Sequence, residues 1–212
     1  MLFIPKNIES LPRKERERIY KQADILTASA YLFAENGYEN TTIDDIAEKA
    51  EYGKGTIYNY FSSKEEIYSA ILKSIFDSYL ISLREVDDEK ESFFDFILEL
   101  TNRLFSFCVT YRYAFAIISR SRTNSILPSS NIAENLKQYQ NMVDEIFIKR
   151  IIKAINRKEI KKIDANSLIT MYRSMIFPYI YNKMFCDKQS NIDINKESTL
   201  VVDILFNGIR KT

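Results

Sequence analysis

Four glycines and four prolines in 212 residues leave this chain little material for turns. A sheet protein of this length needs many tight reversals, and glycine and proline supply most of them. The chain is therefore expected to be all-α. The apolar spacing agrees. Ile19, Ala23, Leu26, Ala30 and Phe33 recur at three- and four-residue steps and make one stripe of a helix starting near Arg13. Asn36-Gly37 should end it, with Gly37 free to take a left-handed cap. Thr42-Ile43-Asp44-Asp45 then opens a short helix, with Thr42 as cap and the acids at its positive end. Ile46, Ala47 and Ala50 face inward, and a break follows at Glu51-Tyr52-Gly53. A second short helix is expected from about Lys54 to Tyr60.

Ser63-Lys64-Glu65-Glu66 has the form of a capping box and should start a helix running to about Arg84. A charged link at 87–90 separates it from a helix carrying Phe93, Ile97, Leu100, Leu104 and Phe107. The chain should turn near Tyr111 and stay helical to about Ser121, with a loop at 122–130. A long helix is expected from Asn131 to about Asn156. The stretch from Asp164 to about Cys186 is nearly apolar all round, with a kink expected at Pro178. A last helix, from Lys196 to about Arg210, carries Leu200, Val201, Ile204, Leu205 and Ile209. The expected architecture is about nine helices: a three-helix unit at 1–62, arm included, and a larger bundle at 63–212.

Composition narrows the chemistry. Histidine is absent, which removes the commonest general base and the commonest zinc ligand. No nucleophile motif and no metal-ligand spacing stands out, so neither an enzyme nor a cofactor is expected. Cys108 and Cys186 sit in apolar stretches without ligand spacing, which suggests a reducing compartment and a cytoplasmic location. The four-residue apolar run at the start has no basic lead, so no signal peptide is expected. Asp95, Glu99, Arg103 and Arg112 interrupt the most apolar stretch, and no membrane span is expected. The net charge of +1 does not advertise nucleic-acid binding, so such a function must rest on a local surface.

The segment Lys49-Ala50-Glu51-Tyr52-Gly53-Lys54-Gly55-Thr56-Ile57-Tyr58-Asn59-Tyr60-Phe61 carries the sharpest signal. A phosphate loop needs Gly, four residues, then Gly-Lys-Ser/Thr after a strand. Here the order is Gly-Lys-Gly-Thr after a helix. A plain helical hairpin explains Ile57 and Phe61, spaced i, i+4, as core, but leaves Tyr58 and Asn59 off that face beside Lys54. A helix-turn-helix explains both faces, because its second helix presents its outer side to the major groove. Lys54 and Thr56 then lie in the first turn, Gly55 lets the backbone approach closely, and Tyr58 and Tyr60 offer hydroxyls on stiff rings.

The runs Thr42-Ile43-Asp44-Asp45-Ile46-Ala47 and Lys54 through Glu65, with the upstream Ala34-Glu35-Asn36-Gly37-Tyr38, resemble the DNA-binding signature of the tetracycline-repressor (TetR) family of bacterial regulators. The resemblance spans roughly residues 20–70; beyond it, only helix number and order match. It implies a homodimer reading a palindromic operator, a small-molecule effector in the C-terminal bundle, and dimerisation through 164–186 and 196–210. Carried over by position, it places Thr42, Lys54, Gly55, Thr56, Tyr58, Asn59, Tyr60 and Lys64 on DNA, with Thr42 and Lys64 holding phosphates. The chain also departs from the family's habits. Glu51 stands where glycine is usual, Tyr52 where a small aliphatic is, Gly53 where a Ser or Thr cap is, and Asp44 where an arginine often is.

In the bundle, Phe93, Phe96, Phe107 and Phe115 are candidates to line an apolar effector cavity. Glu99, Asn102, Arg103, Arg112, Tyr139 and Arg173 are candidates to orient its polar end. A helix that is apolar all round must be buried on more than one side, which supports the dimer. The basic run Lys149, Arg150, Lys153, Arg157, Lys158, Lys161 and Lys162 reads as a solvated helix end. The expected function is a dimeric, sequence-specific DNA-binding regulator, a repressor released by a small apolar or amphipathic ligand. The alternative is a helical small-molecule-binding or protein-interaction module with weak or lost DNA binding.

Overall fold

The computed structural model describes residues 3–5, 7–86, 92–123, 130–187 and 192–208. The expected link at 87–90, the centre of the expected loop at 122–130, Ile209 and Arg210 lie outside them. The described residues form a short 3₁₀ turn at Ile8–Ser10 and then helices, with no strand among them. These are α1 (Arg13–Asn36), α2 (Ile43–Lys49), α3 (Lys54–Tyr58), α4 (Lys64–Val86), α5 (Phe93–Thr110), α6 (Arg112–Thr123), α7 (Ser130–Asn156), α8 (Ala165–Tyr181) and α9 (Ile194–Asn207). A π-helical turn, Asn182–Cys186, follows α8.

Packing divides the chain into two compact units, Met1–Ser78 with Tyr113–Glu134, and Tyr79–Arg112 with Asn135–Thr212. The head expected at 1–62 thus lies within a larger packed unit that also takes in much of α4 and α6. In this first unit the α1 stripe is buried through Ala23, Leu26, Ala30 and Phe33. Ile46, Ala47, Ile57 and Phe61 close the core from α2, α3 and the residues after it. Phe33, Tyr38 and Tyr68 form an aromatic trio with centroids 5.2–5.5 Å apart, which ties α1, the α1–α2 connection and α4 together.

The helix ends explain the breaks. Gly37 takes φ +85° with extended ψ, a conformation open to glycine and not the left-handed one expected. Thr42 forms a full capping box with Asp45: the Asp45 N–H donates to the Thr42 hydroxyl, and Asp45 accepts from the Thr42 N–H. These bonds from Thr42 hold the Asp45 carboxyl below the usual carboxylate range. The box expected at Ser63 forms only by half. The Glu66 N–H donates to Ser63 Oγ, but the Glu66 carboxylate accepts from the Ser62 N–H and hydroxyl instead.

The end of α2 is a Schellman cap. The Glu51 N–H donates to the Glu48 carbonyl at 3.1 Å and the Tyr52 N–H to the Ala47 carbonyl at 3.0 Å. This geometry puts Glu51 at φ +59°, the left-handed region, which explains why glycine suits the position. The end of α7 repeats the device with Lys158 at φ +60°. Glu51→Gly should therefore stabilise the protein by about 1 kcal/mol. Urea unfolding at fixed protein concentration measures it, and an unchanged or lower midpoint contradicts the strain.

In the second unit, α5 packs against α8 and α9, and α8 against α9. Phe96, Ile97, Leu100, Phe105, Phe147, Ile151, Ile176 and Val202 are buried there. The Thr101 and Tyr172 hydroxyls pair at 3.0 Å inside this core, and burial pushes the Tyr172 phenol well up. The stretch expected as one helix to Cys186 changes register one turn after Pro178, whose missing N–H weakens the ladder at that point. One residue of the basic run corrects the solvated reading: Arg150 is buried, its guanidinium 4.5 Å from the centroid of Phe96.

Candidate nucleic-acid interface

The α3 helix is short because its hydrogen bonds change step. The Asn59 N–H is shared between the Gly55 and Thr56 carbonyls, and the Tyr60 N–H donates three residues back, to Ile57. The result separates two faces. Ile57 and Phe61 are buried, while Lys54, Gly55, Tyr58 and Asn59 are exposed. Half of the Tyr58 surface is open to solvent, although its ring neighbours a core position in sequence. Thr56 and Tyr60 are half-buried at the edge, and Thr42 is exposed at the start of α2. Seven of the eight residues expected on DNA thus belong to one region around α3 and the start of α2.

Three polar links fix this region, and none of them is local in sequence. Tyr52 donates its hydroxyl to Asp24 at 2.9 Å, which ties the turn to α1. Burial, then the bond to Asp24, pushes the Tyr52 phenol up. Lys54 lies 2.9 Å from the Asp44 carboxylate, which joins α3 to α2 and raises the ammonium's affinity for its proton. Where an arginine would reach outward, this chain thus holds an acid that occupies its own recognition-helix lysine.

Lys64 is the eighth expected contact, and its ammonium is turned inward. It donates to the carbonyls of Tyr38 and Thr41 at 2.7 Å each and of Glu39 at 3.5 Å. It also sits 4.3 Å from the centroid of the Tyr38 ring. All three donors are directed at these carbonyls, so in this arrangement the ammonium points away from the phosphate expected of it. Sequence spacing alone carried no sign of the Asp24, Asp44 or Lys64 links, because their partners lie 10 to 28 residues away.

Asp44→Asn should release Lys54 and remove a negative charge from the DNA-facing side. Log affinity against log salt should become steeper by about 0.9, the value of one phosphate contact. A salt series read by fluorescence anisotropy measures this, and an unchanged slope contradicts the masking of Lys54.

The effector candidates are more scattered. Phe93 and Phe96 are buried in the second unit, and Phe107 packs on Tyr111 with centroids 5.0 Å apart. Phe115 is buried in the first unit, with the head. Arg103 is bound to Glu99 and Glu85, Arg173 to Asp144, and Arg112 lies over Phe185. Tyr139 is half-buried. Asn102 differs from these: its side-chain oxygen is buried and has no hydrogen-bond partner.

The family profile for "Bacterial regulatory proteins, tetR family" matches residues 25–71, the segment from α1 into α4 just described. That segment is similar to the DNA-binding head of the tetR family. The chain is 27% identical over 193 residues to a fatty acid metabolism regulator protein of Bacillus subtilis, which covers 89% of this chain and 95% of that protein. It is 29% identical over 155 residues to the biofilm operon negative transcriptional regulator IcaR of Staphylococcus aureus, covering 70% of this chain and 77% of that one. Two solved structures share the fold. FadR of Bacillus subtilis in complex with stearoyl-CoA superposes with a TM-score of 0.74 at 21% identity, covering 89% of this chain and 99% of that one. The TetR-family regulator PfmR of Thermus thermophilus gives 0.75 at 16% identity, covering 88% and 99%. One of these relatives is named a regulator of fatty acid metabolism and the others transcriptional regulators, and this chain is a DNA-binding regulator rather than an enzyme.

Proposed function

We propose that this chain is a homodimeric repressor acting in the cytoplasm, with two copies of α3 reading half-sites of a palindrome in successive major grooves. The observation that carries the reading is the division of α3: Ile57 and Phe61 buried, with Lys54, Tyr58 and Asn59 exposed beside them. Gly53 caps α3 without a side-chain acceptor, so the first backbone N–H groups keep their capacity for a phosphate.

Support for the dimer comes from α8 and α9. On α8, Met171, Ser174, Pro178 and Tyr181 are exposed along one stripe at three- and four-residue steps. On α9, Leu200 and Ile204 are exposed at an i, i+4 step. A second copy covers such apolar stripes in a four-helix arrangement, and obligate interfaces of that kind bury about 2,000 Å² or more. The effector is read as an apolar or amphipathic molecule of the long-chain acyl type, entering the second unit. The named ligand of the Bacillus structure and the fatty-acid role of the Bacillus relative favour that class. Asn102, with its buried unpaired oxygen, is the residue best suited to orient a ligand's polar group.

Footprinting on the DNA flanking the protein's own gene tests the reading. Two protected half-sites about one helical turn apart, lost on adding a long-chain acyl-CoA, are expected. No protection at any salt, or a monomer by light scattering, overturns it.

A further inference from the structure

The head holds a cavity of about 630 Å³, open to solvent on one side, that the DNA-reading face does not use. Its walls come from the N-terminal arm, α1, the α2–α3 turn and the start of α6, all within the first unit. That volume lies in the range of small-molecule sites. Small residues of α1 leave the space open, and four aromatic rings border it: Phe3, Tyr31, Tyr52 and Tyr113. Tyr31 and Tyr113 meet edge to face, with centroids 5.1 Å apart. Glu51 and Tyr52, two of the positions where this chain departs from the residues usual in the family it resembles, both line this cavity.

The charges on the walls select the occupant. Asp24 and Glu51 present carboxylates, and among the described residues Lys49 is the one basic residue of the lining. Asp24 already accepts the Tyr52 hydroxyl. Glu51 forms no ion pair among the described residues and stays exposed at the cavity edge. The Lys49 ammonium lies 4.5 Å from the centroid of the Tyr31 ring, so a cation already rests on one aromatic face. Ring faces attract positive charge through their quadrupole, and a carboxylate adds to that attraction when the site is partly dry. An anion would meet two carboxylates and gain little from the rings.

We propose that this cavity is a second ligand site, in the head itself, for a compact organic monocation with an aromatic or alkyl body. The cation would sit against Tyr52 and Tyr113, with Glu51 as its counter-charge. The site is separate from the acyl-type effector of the second unit and does not depend on that reading. A ligand there touches the turn that joins α2 to α3, so its occupancy bears on how the recognition helix is held.

Titration calorimetry of the full chain with benzyltrimethylammonium, benzyl alcohol and benzoate tests it. One saturable site per chain is expected for the cation, with weaker binding of the neutral probe, none of benzoate, and a raised melting temperature. Glu51→Gln should weaken the cation by about tenfold, and Lys49→Met should tighten it by about threefold, as cation–π and ion-pair strengths in partly exposed sites suggest. Circular dichroism checks that both variants fold. No saturable binding into the millimolar range, or benzoate binding as well as the cation, overturns the proposal. Saturable binding that neither variant alters also overturns it, because the site then lies elsewhere.

Discussion

Tyr58→Ala should bind operator DNA about 1–3 kcal/mol more weakly, roughly 5- to 150-fold, while keeping its fold. The ring stands on the outer face of α3 with half its surface exposed, so removing it opens no cavity. The buried neighbours Ile57 and Phe61 hold the helix in place without it. A tyrosine pays little conformational entropy to dock and ends in a hydroxyl, which suits a phosphate oxygen. Tyr58→Phe keeps the ring and loses that hydroxyl, so it should show most of the loss. Lys54→Ala should cost less than Tyr58→Ala, because Lys54 must leave Asp44 at 2.9 Å before it meets DNA. A mobility-shift titration at one fixed salt concentration compares the three. Full-strength binding by Tyr58→Ala would remove α3 from the interface.

The features legible in the sequence are those set by neighbours one helical turn apart. The α1 stripe, the Thr42 cap and the division of Ile57 and Phe61 from Tyr58 all follow from i, i+3 and i, i+4 spacing. Polar links across longer separations left no such trace. Tyr52 finds Asp24 and Lys64 finds Tyr38 only once α1 through α4 have packed. Before packing, a lysine at the start of a helix beside a DNA-binding motif reads as a phosphate contact. The effector residues were the least legible. An aromatic that packs core and one that lines a cavity have the same spacing, and Phe115 falls in the head's unit where the other candidates fall in the second. Glu51 was a half-legible case: the sequence marked it as a departure, and the Schellman geometry at φ +59° supplies the reason glycine is favoured there.

Lys64→Met separates the two roles that residue was open to. A cation in the first turn of a helix faces the positive end of its dipole, so Lys64 needs compensation. It finds it in the carbonyls of Tyr38, Glu39 and Thr41 and in the face of the Tyr38 ring. Those carbonyls belong to the connection that leads into Thr42 and α2, so the lysine clamps the approach to the DNA-reading region onto α4. Methionine keeps the length and the contact with the ring but donates nothing. The loss of charge-assisted bonds, with carbonyls left part-buried, should cost about 2–3 kcal/mol of stability. The slope of log affinity against log salt should stay unchanged, because no phosphate contact is lost. A phosphate-holding lysine predicts the reverse: stability kept, and a slope shallower by about 0.9. Urea unfolding and a salt series on the same variant decide between them. A stable variant with a shallower slope would show that Lys64 leaves its carbonyls when DNA binds.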